Sequence, residues 1–232
     1  MRRPAPFAAL RHGPAPTRRA LLSTLLLPLA LGACVTTQPD TAVVKAPRIA
    51  PADAARYGAL EDGGFSIPAV DPDEIKPRNV RQQVNDPTGQ MPGTLVVDPK
   101  HRFLYLVQEN GKALRYGVGV GREGLEFSGT ATVGTKREWP GWRPTDAMIA
   151  REPAKYRPWA GGMAGGAGNP LGARALYLFK DGKDTLYRIH GTTEPWTIGE
   201  AVSSGCIRMM NQDVIDLYRR VPDGAKVVVL PV

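Results

Sequence analysis

Apolar positions along the chain fall in short runs and alternations more than at helical spacing. Thr94–Asp98 (TLVVD) and Arg102–Gln108 (RFLYLVQ) carry the β-branched and aromatic residues that suit a pleated, half-buried surface. Asn110-Gly111 then precedes Ala113–Val120 (ALRYGVGV), a pairing of turn and flanking apolar runs that predicts a hairpin. Phe127–Lys136 (FSGTATVGTK) reads as a further strand. Arg174–Lys180 (RALYLFK) and Thr185–His190 (TLYRIH) flank Asp181-Gly182, and Lys226–Leu230 (KVVVL) reads as a closing strand. Only near the end does the period change. Val214, Leu217, Tyr218 and Val221 lie at i, i+3, i+4 and i+7, one apolar helical face, with Asn211 as its expected N-cap.

Between Arg137 and Gly172 neither period holds. This stretch carries Trp139, Trp142 and Trp159, several prolines and the run AGGMAGGAGNPLG, the texture of an active-site lid. The tryptophans suit either a flat substrate-contacting surface or loop anchoring. The expected architecture for residues 93–232 is a mainly β domain of about seven strands, one or two short helices and a long lid insertion. About 140 residues suffice to bury a core without disulfides.

The first 92 residues read differently. From Met1 to Ala33 there are five arginines, no Asp or Glu, and then the apolar run ALLSTLLLPLALGAC, a positively charged region followed by a hydrophobic one. The apolar stretch is about 14 residues, short of the roughly 20 that span a bilayer as a helix, so it predicts an export signal. Leu31–Cys34 (LGAC) resembles a bacterial lipobox, which would make Cys34 the lipidated first residue of an exported protein. An ordinary signal peptide cut near Ala33 is the other reading, and Thr17–Leu22 (TRRALL) leaves a twin-arginine route open beside the general one. Residues 34–92, rich in Ala, Pro and Asp, read as the lipidated cysteine and a tether that becomes ordered from about Phe65. Val35 stands where an inner-membrane lipoprotein usually has Asp, which favours an outer-membrane anchor.

Charge changes the picture little. The formal net charge is +8, but residues 1–33 hold five of the basic residues and no acidic one, so an exported chain would carry +3. That gives no ground for a nucleic-acid partner.

Candidate chemistry is concentrated in Tyr187–Gln212 (YRIHGTTEPWTIGEAVSSGCIRMMNQ). With Cys34 lipidated, Cys206 has no intramolecular partner although the protein goes to an oxidising space. It follows Ser203-Ser204-Gly205, where the backbone turns and successive N–H groups can converge, a setting for a reactive thiol more than for a buried apolar one. Such a thiol needs a base. His12 leaves with the signal and His101 lies in a turn between strands, so His190, sixteen residues before Cys206, is the candidate. One cysteine and one histidine cannot build a zinc site, so no metal is expected. Gly119, Gly121 and Gly124 match G-x-G-x-x-G, but a strand-like run follows where a dinucleotide site needs a helix.

The stretch HGTTEPWTIGEAVSSGCIRMMNQDVIDLY resembles the signature of the YkuD-type L,D-transpeptidases, a His-Gly-Thr segment followed by Ser-x-Gly-Cys-x-Arg. The resemblance extends over most of residues 93–232, including PGTLVVD, RFLYLV, YGVGVGREG and NPLGARALYL. It implies a YkuD-like β-sandwich or barrel, with Cys206 as acyl-accepting nucleophile and His190 as its base and acid. The N–H groups of Gly205 and Cys206 would hold the oxyanion. Ser203 would orient His190 or the nucleophile, or simply fit the turn. Ser204 departs from the many members with a second histidine there, which puts all proton transfer on His190. Arg208 would contact a substrate carboxylate or brace the loop, with Gly191 and Thr192 beside it at the substrate.

The implied reaction is attack on the L-centre carbonyl of the third residue of a peptidoglycan tetrapeptide stem, loss of D-alanine, and transfer of the thioester to an amine. That amine belongs to a second stem, giving a 3→3 cross-link, or to an outer-membrane protein. No cofactor is expected. The alternatives are an L,D-carboxypeptidase or hydrolase of the same fold and a non-catalytic peptidoglycan-binding lipoprotein.

Overall fold

A computed structural model describes residues 48–122 and 127–232. The proposed signal, the lipobox with Cys34, and Gly124 lie outside the described residues. In chain order the elements begin with helix α1 (Pro51–Arg56), the short strands β1 (Leu60–Asp62) and β2 (Phe65–Ile67), and β3 (Gln82–Asn85). Then come β4 (Leu95–Asp98), β5 (Phe103–Gln108), β6 (Lys112–Gly117), β7 (Val120–Gly121) and β8 (Gly129–Glu138). Helices α2 (Asp146–Arg151) and α3 (Pro153–Tyr156) lie in the expected insertion. The chain closes with β9 (Arg174–Lys180), β10 (Lys183–His190), β11 (Ala201–Ser203), β12 (Ile207–Arg208), α4 (Asn211–Arg220) and β13 (Lys226–Val229).

The mainly β class is borne out. Nine strands form one mixed sheet in the order β12-β10-β9-β8-β13-β4-β5-β6-β3, in which β13/β4 and β10/β12 are parallel and the other pairs antiparallel. The sheet curls. Gly119, two residues past β6, exchanges two backbone hydrogen bonds with Arg208 of β12, at 2.9 and 2.8 Å, so the β12 edge meets chain leaving β6, the strand next to the opposite edge. β7 and β11 add a short parallel pair beside this seam.

Both predicted tight turns have the required backbone. Asn110 and Gly111 have φ of 59° and 64°, and Asp181 and Gly182 have 51° and 74°, the positive pair that matches the twist of a hairpin. Alternation along the strands sorts side chains to two faces. Leu95, Val97, Leu104 and Leu106 join Leu176, Leu178, Ile189, Ile207 and Val227 in the main core, while Val96, Phe103, Tyr105 and Val107 pack on the opposite face. The predicted amphipathic helix is α4, which lays Val214 and Leu217 into the main core, with Val221 following its last turn. The side chain of Lys136 on β8 donates to the Tyr218 and Val221 carbonyls at 2.7 and 2.6 Å, satisfying acceptors at the helix end.

Two expectations are corrected. Asn211 is the first residue of α4 and not its cap; Met210 holds that position, and the Asn211 side chain is engaged elsewhere. Nor are residues 48–92 a tether ordered only from Phe65. Ile49, Tyr57, Val70, Ile75 and Val80 form a second core with Ile198 and Met210, and Tyr57 is fully buried. The Gln212 side-chain amide holds this segment against α4 by donating to the carbonyls of Tyr57, Gly58 and Pro68 at 3.2 to 3.3 Å.

Candidate active site

β10 ends at His190 and runs parallel to β12, with Ile189 opposite Ile207 and His190 opposite Arg208. Because both isoleucines face the core, the alternation of side chains sends Arg188, His190, Cys206 and Arg208 to the other face. The sixteen-residue separation in sequence thus closes to neighbouring strands. Among the described residues no hydrogen bond joins His190 to Cys206.

His190 is 5% exposed, and its Nδ1 lies 2.6 Å from the carbonyl oxygen of Gly191. A carbonyl only accepts, so Nδ1 carries the proton and Nε2 is left with its lone pair, the tautomer a general base needs. Burial pushes the imidazole down to about 4. The Gly191 carbonyl and, more weakly, the Leu171 main chain oppose that shift, and the Arg208 and Arg188 charges add to it.

Cys206 is a free, half-buried thiol whose Sγ lies 3.9 Å from the Leu186 carbonyl oxygen. That carbonyl is displaced by an irregularity in the β9/β10 pairing between Asp184 and Arg188, where Leu186 takes a left-handed φ of 64°. Burial pushes the thiol up, and the Arg188 main-chain N–H and the Arg188 and Arg208 guanidinium groups pull it the other way. At neutral pH both partners are therefore uncharged.

The turn before Cys206 is tied by Ser203, whose buried hydroxyl accepts from the Gly205 N–H at 3.1 Å and donates to the Cys206 carbonyl at 2.6 Å. The Gly205 amide is thereby occupied. Among the described residues the Cys206 N–H has no acceptor, which makes it the amide open to an oxyanion. Ser204 reaches a different partner, the Tyr156 hydroxyl at the end of α3, at 3.2 Å. Arg208 on β12 pairs at 2.7 Å with Glu194, which lies in the segment between His190 and Cys206.

Gly191 and Thr192, expected at the substrate, are both buried beside His190. A side chain at Gly191 would collide with Asn211 Oδ1, and the Thr192 hydroxyl accepts from the Glu194 N–H at 3.0 Å. Sequence reasoning missed Arg188, Tyr156 and the bracing role of Asn211.

The family model of the L,D-transpeptidase catalytic domain, YkuD, matches residues 92–229. The chain belongs to the YkuD L,D-transpeptidase family. The probable L,D-transpeptidase YbiS of Escherichia coli K12 is 32% identical over 151 residues, 64% of this chain and 48% of that protein. The probable L,D-transpeptidase ErfK/SrfK of Salmonella typhimurium is 32% identical over 208 residues, 86% of this chain and 65% of that protein. The chain thus spans about half to two thirds of the length of these relatives. A solved structure from Brucella melitensis, described as a probable carnitine operon oxidoreductase caia, is 58% identical and covers 67% of this chain and 96% of its own, with a TM-score of 0.47. Within the YkuD family match lie His190, Cys206 and the whole lid insertion, whereas α1, β1, β2 and β3 precede it.

Proposed function

We propose that this YkuD family protein is a peptidoglycan L,D-transpeptidase that works through a Cys206 thioester. The observation that carries the proposal is the placing of His190, at the end of β10, beside β12, the strand that Cys206 immediately precedes, with His190 Nδ1 committed to the Gly191 carbonyl. In this reading a tetrapeptide stem binds with the L-centre carbonyl of its third residue against Cys206. The thiol proton passes to His190 Nε2 as sulfur attacks, and the carbonyl oxygen gathers its charge at the Cys206 N–H.

A histidine held near 4 is a weak base but, once protonated, a strong acid. It therefore serves collapse of the tetrahedral intermediate well, giving its proton to the departing D-alanine amine. The amine of a second stem then loses a proton to His190, attacks the thioester and expels Cys206. The envelope location, the Cys34 lipid anchor and an outer-membrane protein as alternative acceptor rest on the N-terminal sequence and belong to the same proposal.

The test incubates the purified chain, beside Cys206→Ala, with disaccharide-tetrapeptide and weighs the products. A dimer of two stems less one alanine, absent with the variant, is expected. Tripeptide alone would identify a carboxypeptidase. No product and no carbapenem adduct on Cys206 would leave a wall-binding lipoprotein as the reading.

A further inference from the structure

The buried turn after His190 is held by a side chain that the reaction does not consume. Asn211 Oδ1 accepts from the Ala173 N–H at 3.0 Å, and its Nδ2 donates to the Thr192 carbonyl at 2.9 Å. One amide thus joins the start of β9 to the turn leaving β10. The fit is close on both sides, since a Cβ at Gly172 or at Gly191 would stand 2.2 or 2.1 Å from Asn211 Oδ1.

We propose that Asn211 is a positioning residue for His190, acting through the Gly191–Thr192 turn whose Gly191 carbonyl holds the imidazole. The inference rests on the reading of His190 as the base. Gly191 donates its own N–H to the Arg174 carbonyl at 3.0 Å and presents its carbonyl to His190 Nδ1. With Thr192 fixed by Asn211, the peptide between Gly191 and Thr192 is restrained at both ends. With its neighbours on both sides fixed, the Gly191 carbonyl can leave the ring only by rotation of its own peptide plane, and loss of the Asn211 bond frees the larger movement of the turn.

The chemistry selects asparagine. The site offers one N–H and one carbonyl, and a carboxamide supplies one acceptor and one donor at that reach. Aspartate lacks the donor and would set an anion against the Thr192 oxygen. Alanine leaves both backbone groups without partners in a buried setting. The ordinary use of asparagine at a helix start, capping, is not made here, because Met210 occupies the cap position with an extended backbone.

The experiment uses the full chain, Asn211→Asp and Asn211→Ala, with nitrogen-15 NMR of His190, circular dichroism, and kcat and KM on disaccharide-tetrapeptide. The unmodified protein is expected to show His190 as the Nδ1–H tautomer. Folded variants are expected to show mixed tautomers and a kcat lowered on the order of 10- to 100-fold, with KM within about twofold. Should Asn211→Ala unfold, the isosteric Asn211→Asp carries the test. An Nε2–H tautomer in the unmodified protein, or a folded variant that keeps the original tautomer and kcat, overturns the proposal. The tautomer measurement needs no substrate, so failure of the transpeptidase reading would show separately, as an unmodified protein inactive on stems.

Discussion

Burial acts on Cys206 and His190 in opposite directions, raising the thiol and lowering the imidazole to about 4, so it disfavours the thiolate–imidazolium pair at rest. Two consequences are measurable. Alkylation of Cys206 by iodoacetamide is expected to be slow at neutral pH, with its half-maximal rate at a higher pH than for free cysteine; a rate flat into the acid range would mean a resting thiolate. The acid limb of kcat/KM, where His190 gains the proton that disables it as base, is expected near pH 4 and not near the ordinary histidine value of about 6.5. His190→Gln should lower kcat by about 10²- to 10⁴-fold. Replacing Arg188 by methionine removes a positive charge that favours the thiolate, so the alkylation profile should move further up in pH. The sequence made Cys206 and His190 readable because their residue types and the glycine-rich turn are local features. Arg188 was not readable, because its effect arises from the β10/β12 register, and Asn211 was misread because its partners lie 38 and 19 residues away.

At the scale of elements, α4 joins the segment between His190 and Cys206 to the chain before β4. Asp213 on α4 is fully buried. It accepts from the Tyr57 hydroxyl at 3.2 Å and lies 3.7 Å from Arg81, whose guanidinium makes its closer contact, 2.6 Å, with Asp216. Burial outweighs the attraction of Arg81 and pushes Asp213 up to about 7. The folded pKa is therefore above the unfolded one, near 3.9, and the protonated carboxyl favours the folded state. That contribution is complete below the unfolded value and is lost as pH rises through about 7. Thermal melts should accordingly show stability falling between about pH 4 and 7 and levelling off above that, and Asp213→Asn, neutral throughout, should flatten this limb. A slope unchanged in the variant would place the pH dependence elsewhere. Tyr57→Ala, which empties a fully buried aromatic position, should cost about 3–5 kcal/mol in urea unfolding. Seven of the nine strands of the main sheet were legible because alternation and the Asn-Gly and Asp-Gly turns repeat over enough residues to set a period, whereas β3 and the two-residue β12 were not. α1, β1 and β2 were not, since elements of six and three residues in an Ala- and Pro-rich stretch set none, and tertiary packing holds them.

At the scale of the whole molecule, the insertion between β8 and β9 meets both the N-terminal segment and the nucleophile turn, and its tryptophans divide by what they touch. Trp139 stacks on Phe65 with ring centroids 4.6 Å apart and donates its indole N–H to Asp62 at 2.9 Å; Asp62 also takes a bidentate pair from Arg174 at the start of β9. Trp142 lies against Tyr156, and Tyr156 meets Ser204. Arg122 binds Glu152 of the insertion at 2.8 Å while its backbone N–H donates to the Ser203 carbonyl. Of the three tryptophans in the insertion, only Trp159 is largely open, at 44% exposure. The two readings of these residues therefore separate by position, with Trp139 an anchor and Trp159 the one left open to solvent. Trp139→Ala should lower the melting temperature, because it strips a packed ring and leaves Asp62 short of a donor. Trp159→Ala should leave the melting temperature within about 1 °C, since an exposed side chain contributes little to folding. Its effect should fall on KM for disaccharide-tetrapeptide, raised several-fold with kcat nearly unchanged, the signature of lost contact that substrate and transition state share. If Trp159→Ala instead lowered kcat and left KM alone, the insertion would act on the chemistry at Cys206 through Tyr156 and Ser204, and Tyr156→Phe should then reproduce that loss without touching any tryptophan.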